Sequence, residues 1–344
     1  MFRKESRKPN FKNMEKVLRK EVPSRPVLFD FIIGSDKEKV LAGSEYKTTT
    51  EFDHVVTTIK AFDSGGYDHA PIIVRGLNFT RQEVSHPEGV QTKSLNESVM
   101  ITDRESFNRY QWPEINNCDF SIITRAGQYM DKGAKMIPFS YDGILENTIG
   151  ILGYENLCLL LYDDEELVSD IFENVGARIK QYFYKCLEFK EVGAVLCNDD
   201  WGFNSQTMLP PPILKKYVFP WYKEITERAH ELGKYSILHS CGYYNDIIDD
   251  MINYIKLDGK HSFEDKITPV EKAYEDLKGK IAVMGGIDVD FLARSDADRV
   301  YNRCAKMLER SKERGGYALG SGNSVPDYIP NENFLAMLKA ANEY

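Results

Sequence analysis

The sequence predicts a (β/α)8 barrel. Three observations carry this. From Asp163 onward five short apolar runs alternate with amphipathic helical ones, and each apolar run is followed at once by polar or chelating residues set beside glycines. The length, 344 residues, also suits a single decorated barrel. Strands this short and apolar, each followed by a helix, fit parallel strands buried on both faces. A doubly wound sheet would gather its polar residues at one switch point instead of five strand ends.

Asn13 to Glu21 reads as a short amphipathic helix (Met14, Val17, Leu18), and residues 26–31 (Pro26 to Phe31) read as a buried strand. Thr49 to Ala61 is expected as a helix and His69 to Val74 as a short strand; Asn78 to Ser98, rich in turn formers and charge, is expected as a loop over one end of the barrel. Asp163, Asp164, Glu165 and Glu166 place negative charge in a first helical turn, where the macrodipole favours it. Leu167, Ile171, Val175, Ile179 and Phe183 then give a stripe at four-residue spacing, predicting a helix to about Phe189. Five strands follow at Gly193 to Cys197, Tyr235 to Leu238, Tyr254 to Leu257, Ile281 to Met284 and Tyr317 to Leu319. Helices are expected around Ile213 to Leu232, Asp246 to Asn253, Pro269 to Leu277, Asp296 to Glu313 and Glu332 to Ala341.

The charge is −9 and Lys/Arg residues form only scattered pairs, which disfavours nucleic acid and anionic membranes as partners. No apolar leader core opens the chain and no run of 18 apolar residues occurs, so a cytoplasmic location is expected. Six dispersed cysteines (Cys118, Cys158, Cys186, Cys197, Cys241, Cys304) show no paired spacing and, Cys241 excepted, read as free thiols of a reducing compartment.

His239 and Cys241 stand two apart at a strand end, so imidazole and thiolate project to one side and can converge on one ion. Zinc needs a third protein ligand, and these two are the local ones. The competing reading makes His239 a hydrogen-bonded barrel histidine and Cys241 a packing residue. Asp199 and Asp200 are adjacent, so only one is expected to face the mouth, where a carboxylate serves as acid, base or orienting acceptor. With His261 they are the candidate catalytic residues. Trp201, Gln206, Asp288, Ser321 and Asn323 are the candidate substrate-binding residues, and Asp199, His239, His261, Asp288 and Ser321 are expected to open onto one cavity. Gly320-Ser321-Gly322-Asn323-Ser324 lacks the features of a dinucleotide or P-loop fingerprint and reads as a tight turn. His54, His69, His86 and His230 have no partner in sequence and read as structural or surface residues.

The segments Leu-His-Ser-Cys-Gly (238–242), Gly-Gly-Ile-Asp (285–288) and Gly-Ser-Gly-Asn-Ser-x-Pro (320–326) together resemble the uroporphyrinogen decarboxylase superfamily. The opening residues Val17 to Val27 are similar to its first helix and strand. The resemblance implies one barrel domain over residues 1–344, with residues 1–25 as a helical extension. It leaves the reaction open. The decarboxylase's first-strand arginines have no counterpart after Arg25, and its last-strand histidine is replaced near Ser321, so porphyrinogen decarboxylation is not expected. In the corrinoid-linked methyltransferase branch, a His-x-Cys pair and one distant Cys hold zinc. His239 and Cys241 match the pair; Ser321 stands where the distant Cys is expected, with Asp199, Asp200, His261 or Glu264 as alternative ligands. The resemblance therefore implies methyl transfer between a small donor or acceptor and the cobalt of a separate corrinoid protein, assisted by zinc, with a homodimer as the expected assembly. A metal-independent decarboxylase or lyase, and a silent tetrapyrrole- or corrinoid-binding barrel, stand as the alternatives.

Overall fold

The computed structural model describes residues 7–82, 94–97 and 99–344. Its strands are β1 (His69–Ile72), β2 (Lys135–Pro138), β3 (Ala194–Asn198), β4 (Tyr235–His239), β5 (Gly259–His261), β6 (Ala282–Met284) and β7 (Tyr317–Ala318). β3 to β7 form one parallel sheet in chain order, and β1 pairs in parallel with β2. Bridges Met136 to Val192 and Phe139 to Leu196 join β2 to β3. The eighth strand is the extended segment at residues 27–33, which runs beside β7: Phe29 N–H donates to Leu319 O and Leu319 N–H to Val27 O, each at 2.8 Å. The strands close a (β/α)8 barrel. The seam between that segment and β1 is held by side chains: His69 Nε2 donates to Asp30 O at 2.9 Å, and Tyr67 Oη donates to the Asp30 carboxylate.

Alternation along the strands sends Phe29, Phe31, Ile137, Phe139, Leu196, Ile237 and Met284 into the barrel, where they form one buried cluster. The helix Phe11–Leu18 supplies Phe11, Met14, Val17 and Leu18 to that same cluster. The segment expected as an extension is thus the floor of the barrel, because four of its eight residues are apolar and fit the open strand N-termini.

Two of the expected elements differ. Tyr254 to Leu257 is not a strand: a π-helical turn covers Asp250–Ile255, and the strand begins at Gly259. Met251 and Ile255 are both buried at helical spacing, and Lys256, at φ 63°, turns the chain into β5. The helix expected at Ile213 to Leu232 is two, Pro211–Tyr217 and Phe219–Glu231, divided where Pro220 removes an N–H. Cys158, Cys186 and Cys304 lie in helices, and all six cysteines are free. His54 pairs with Glu38 and His230 with Asp258. His86 and most of the loop read at Asn78 to Ser98 lie outside the described residues.

Candidate metal centre at the barrel mouth

His239 and His261 end β4 and β5 and are partners in register, so both imidazoles point into the barrel. Their Nδ1 atoms are 2.7 Å apart, and His261 Nε2 lies 3.0 Å from Ser321 O. A carbonyl only accepts, so His261 carries its proton on Nε2. In a neutral ring its Nδ1 is then an acceptor, which places the His239 proton on Nδ1 and leaves His239 Nε2 with a bare lone pair. Burial holds both rings neutral: it pushes His239 well below its ordinary range and His261 to about 3.

That lone pair faces the mouth. Cys241 Sγ lies 3.5 Å from His239 Nε2, and Asp200 Oδ1 lies 4.0 Å from it. All three ligand atoms fall within 4.8 Å of one another. Asp200 is seated by accepting from Cys241 N–H at 2.7 Å. This approach requires two glycines: a Cβ on Gly242, at φ +83°, would lie 2.1 Å from Gly202 O, and one on Gly202 would lie 2.4 Å from Tyr243 O. The loops after β3 and β4 therefore touch backbone to backbone, which carries Asp200 across to Cys241. Burial, then the charge of Asp200, raises the Cys241 thiol, and burial raises Asp200. A divalent cation reverses both effects by replacing the protons. One imidazole nitrogen, one thiol and one carboxylate suit zinc, and the two half-buried members leave the site open toward the mouth. The set fits a metal.

Asp199 faces the other way, as strand alternation requires. It is fully buried and accepts from Leu145 N, Glu146 N, Trp201 Nε1 and Tyr222 Oη at 2.9–3.0 Å. It holds the N-terminus of the helix Ile144–Leu152 and does not open onto the cavity. Trp201 is equally buried, against Phe219 and Tyr222, so its substrate-binding assignment is corrected to packing. His261 is corrected from catalytic group to the buried positioner of His239. Ser321 has no exposure; its hydroxyl donates to Asp30 and approaches Asn323 O, so it neither faces the mouth nor supplies a ligand. Asn323 takes that place, donating to Cys241 Sγ at 3.1 Å. Asp288 caps the helix Val289–Arg294 and accepts from Asp265 N–H, which explains its burial. Gln206 is exposed on the turn after β3, and among the described residues its carbonyl is engaged by Phe203 N–H.

Two neighbours were missed by sequence reasoning. Lys260 is fully buried between the rings of Tyr244 and Phe263 and donates to Ser262 O at 2.7 Å and Ser240 O at 3.3 Å; burial lowers it to about 7. A lysine inside a three-residue strand was the available signal. Glu146 is raised well above its ordinary range by burial and by the charges of Asp200, Asp199 and Asp142; nothing local in sequence marks it.

The profile of the family described as Uroporphyrinogen decarboxylase (URO-D) matches residues 143–344, more than half of the chain. No curated protein sequence matches. Among solved structures, a methyltransferase from Methanosarcina mazei superposes with a TM-score of 0.70 at 14% identity, over 98% of this chain and 99% of that one. A GH27 β-L-arabinopyranosidase from Geobacillus stearothermophilus reaches 0.41 at 11% identity, over 91% of this chain and 75% of that one, too low to bear on the fold.

Proposed function

The chain belongs to the uroporphyrinogen decarboxylase family, and from that premise we propose that it is a methyltransferase, moving a methyl group between a small molecule and the cobalt of a separate corrinoid protein. The observation that carries this reading is the convergence of His239 Nε2, Cys241 Sγ and Asp200 Oδ1 at the open end of the barrel. The fold shared with the Methanosarcina mazei methyltransferase supports it. We read residues 1–344 as one domain.

Asp200, His239 and Cys241 would hold zinc, which when bound supplies Lewis acidity toward a methoxyl oxygen or lowers the pKa of a methyl acceptor. His261 fixes the His239 tautomer. Phe31, whose ring centroid is 4.7 Å from that of His239, and Phe139 beside it keep water from the inner side of the site. Porphyrinogen decarboxylation is not part of the proposal: the extended segment at residues 27–33 offers Phe29, Asp30 and Phe31 where arginines would have to meet many carboxylates, and each unpaired buried carboxylate costs several kcal/mol.

Following the cobalamin absorbance of a corrinoid protein with methoxyaromatic, methylamine and methanol donors, and with thiol or folate acceptors, tests the reaction. Zinc content tests the site: about one ion per chain is expected, and Cys241→Ser should weaken binding by roughly 10–100-fold. Zinc-free protein with no spectral change would replace this reading by the lyase or binding alternatives.

A further inference from the structure

Asp30 is buried at the barrel seam, yet only one of its carboxylate oxygens serves that seam. Oδ2 accepts from Tyr67 Oη, and the backbone oxygen of Asp30 accepts from His69 Nε2. Oδ1 turns the other way and accepts twice from Ser321, from its N–H at 3.0 Å and from its hydroxyl at 2.6 Å. Gly320 permits the approach: a Cβ there would lie 1.7 Å from Phe29 O, so a glycine is needed for residues 27–33 to lie close enough to β7 for Asp30 to reach Ser321. A buried carboxylate that takes two donors from one residue holds that residue in one orientation.

Two hydrogen-bonded paths lead from Ser321 to the metal centre, one to His239 and one to Cys241. Ser321 O, which also accepts from Gly286 N–H at 2.8 Å, fixes the proton of His261 on Nε2, and His261 Nδ1 in turn fixes that of His239. Gly285 leaves room for this contact, since a Cβ on it would lie 2.3 Å from Ser321 O and 2.9 Å from His261 Cδ2. On the other path the Ser321 hydroxyl lies against Asn323 O, and Asn323 Nδ2 donates to Cys241 Sγ at 3.1 Å. Asp200 is on neither path; it is held by Cys241 N–H. We propose that Asp30 is a positioning residue of the metal centre: by gripping Ser321 it sets the tautomer of His239 and the seat of Cys241, so that one carboxylate serves both barrel closure and metal binding. The effect on zinc rests on the metal site proposed above; the effect on the His239 proton does not.

The two carboxylate oxygens allow the two roles to be separated. At about pH 8, where Asp30, raised by burial to about 6, is ionised, chelator competition should show zinc affinity lower by about tenfold in Asp30→Leu, the lower end of what losing an outer partner of a metal-bound histidine costs. Asp30→Asn, which keeps an oxygen for Ser321 and turns its amide to Tyr67 Oη, should recover most of that loss. Tyr67→Phe, which takes the partner from Oδ2 alone, should unfold at a lower denaturant concentration yet keep parental zinc affinity. Nitrogen NMR of isotope-labelled histidines in the metal-free protein reads the proton itself: Nδ1–H with a bare Nε2 on His239 in the parent, and a mixture of tautomers in Asp30→Leu. Should Asp30→Leu fail to fold, Ser321→Ala, which removes the hydroxyl and leaves the backbone contacts, should weaken zinc by about fivefold, the worth of one hydrogen bond. Parental zinc affinity and tautomer in folded Asp30→Leu or Ser321→Ala, no recovery in Asp30→Asn, or an equal loss of zinc in Tyr67→Phe would overturn the proposal. A parent that binds no zinc but whose His239 proton moves in Asp30→Leu would keep the positioning role and remove the metal reading.

Discussion

Three side chains at the barrel mouth matter less individually than the hydrogen bonds that fix their atoms. His239 presents Nε2 only because His261 Nδ1 accepts its other proton, and His261 does so only because Ser321 O occupies its Nε2–H. Replacing His261 with Phe removes that acceptor at similar ring size. Metal affinity should then fall by about 10–100-fold, the usual cost of losing an outer partner of a metal-bound histidine. His261→Gln, with a carbonyl for His239 and an amide for Ser321, should recover part of it. Chelator competition measures both, and undiminished affinity in the Phe variant would remove His261 from the positioning role. Asp199 makes the opposite case. Asp199→Ala leaves two backbone N–H groups, the Trp201 indole N–H and the Tyr222 hydroxyl proton without an acceptor in the interior. Denaturant unfolding should show a loss of about 3 kcal/mol or more, with zinc per folded chain unchanged.

At the scale of elements, the site depends on how closely two loops approach. Strands β3 and β4 are neighbours in register, with Asn198 opposite His239, so the residues just beyond them meet. Gly202 and Gly242 let the two backbones touch, and Asp200 then reaches Cys241 N–H. Gly242→Ala forces a Cβ into Gly202 O from a left-handed conformation, a strain of about 1–3 kcal/mol. The expected result is zinc loss together with a modest fall in unfolding temperature. A variant as zinc-replete as the parent would show that Asp200 is not held by this contact.

Across the whole molecule, closure of the barrel is uneven. Backbone pairing joins neighbouring strands around most of the ring, while the seam between residues 27–33 and β1 relies on Asp30, Tyr67 and His69. Burial holds His69 down to about 4, below its ordinary value near 6.5, so the folded chain binds fewer protons than the unfolded one between those limits. Stability is therefore lost as pH falls from about 6.5 to about 4, by about 3 kcal/mol from this group. Asp30, raised to about 6 by burial, acts in the opposite sense from about 6 down to about 4. The histidine's share is the difference between the parent and His69→Gln, whose stability should fall less over this range. Parallel pH profiles for the two proteins would contradict the neutral, buried state of His69.

Local sequence determined most of the barrel's second half, because β3, β4, β6 and β7 fall on apolar runs with a helix after them, whereas β5 is Gly259-Lys260-His261 and no apolar run marked it. It also marked His239 and Cys241, whose i, i+2 spacing puts both on one side of a strand, and it required one of Asp199 and Asp200 to face inward. Which one faces inward was decided by β3's register, and Asp199 went to the helix N-terminus instead. Where chemistry depends on residues far apart in the chain, sequence was silent. Ser321 and Asn323 lie two positions apart, yet the pull of Asp30 buries the first and the turn delivers the second to Cys241. The strand at Lys135–Pro138 is four residues long and contains a proline, too short to show a period, and the floor helix differs from a surface helix only in what covers it. Periodicity records which side of an element is apolar; which partner meets that side is a long-range contact that only the folded chain supplies.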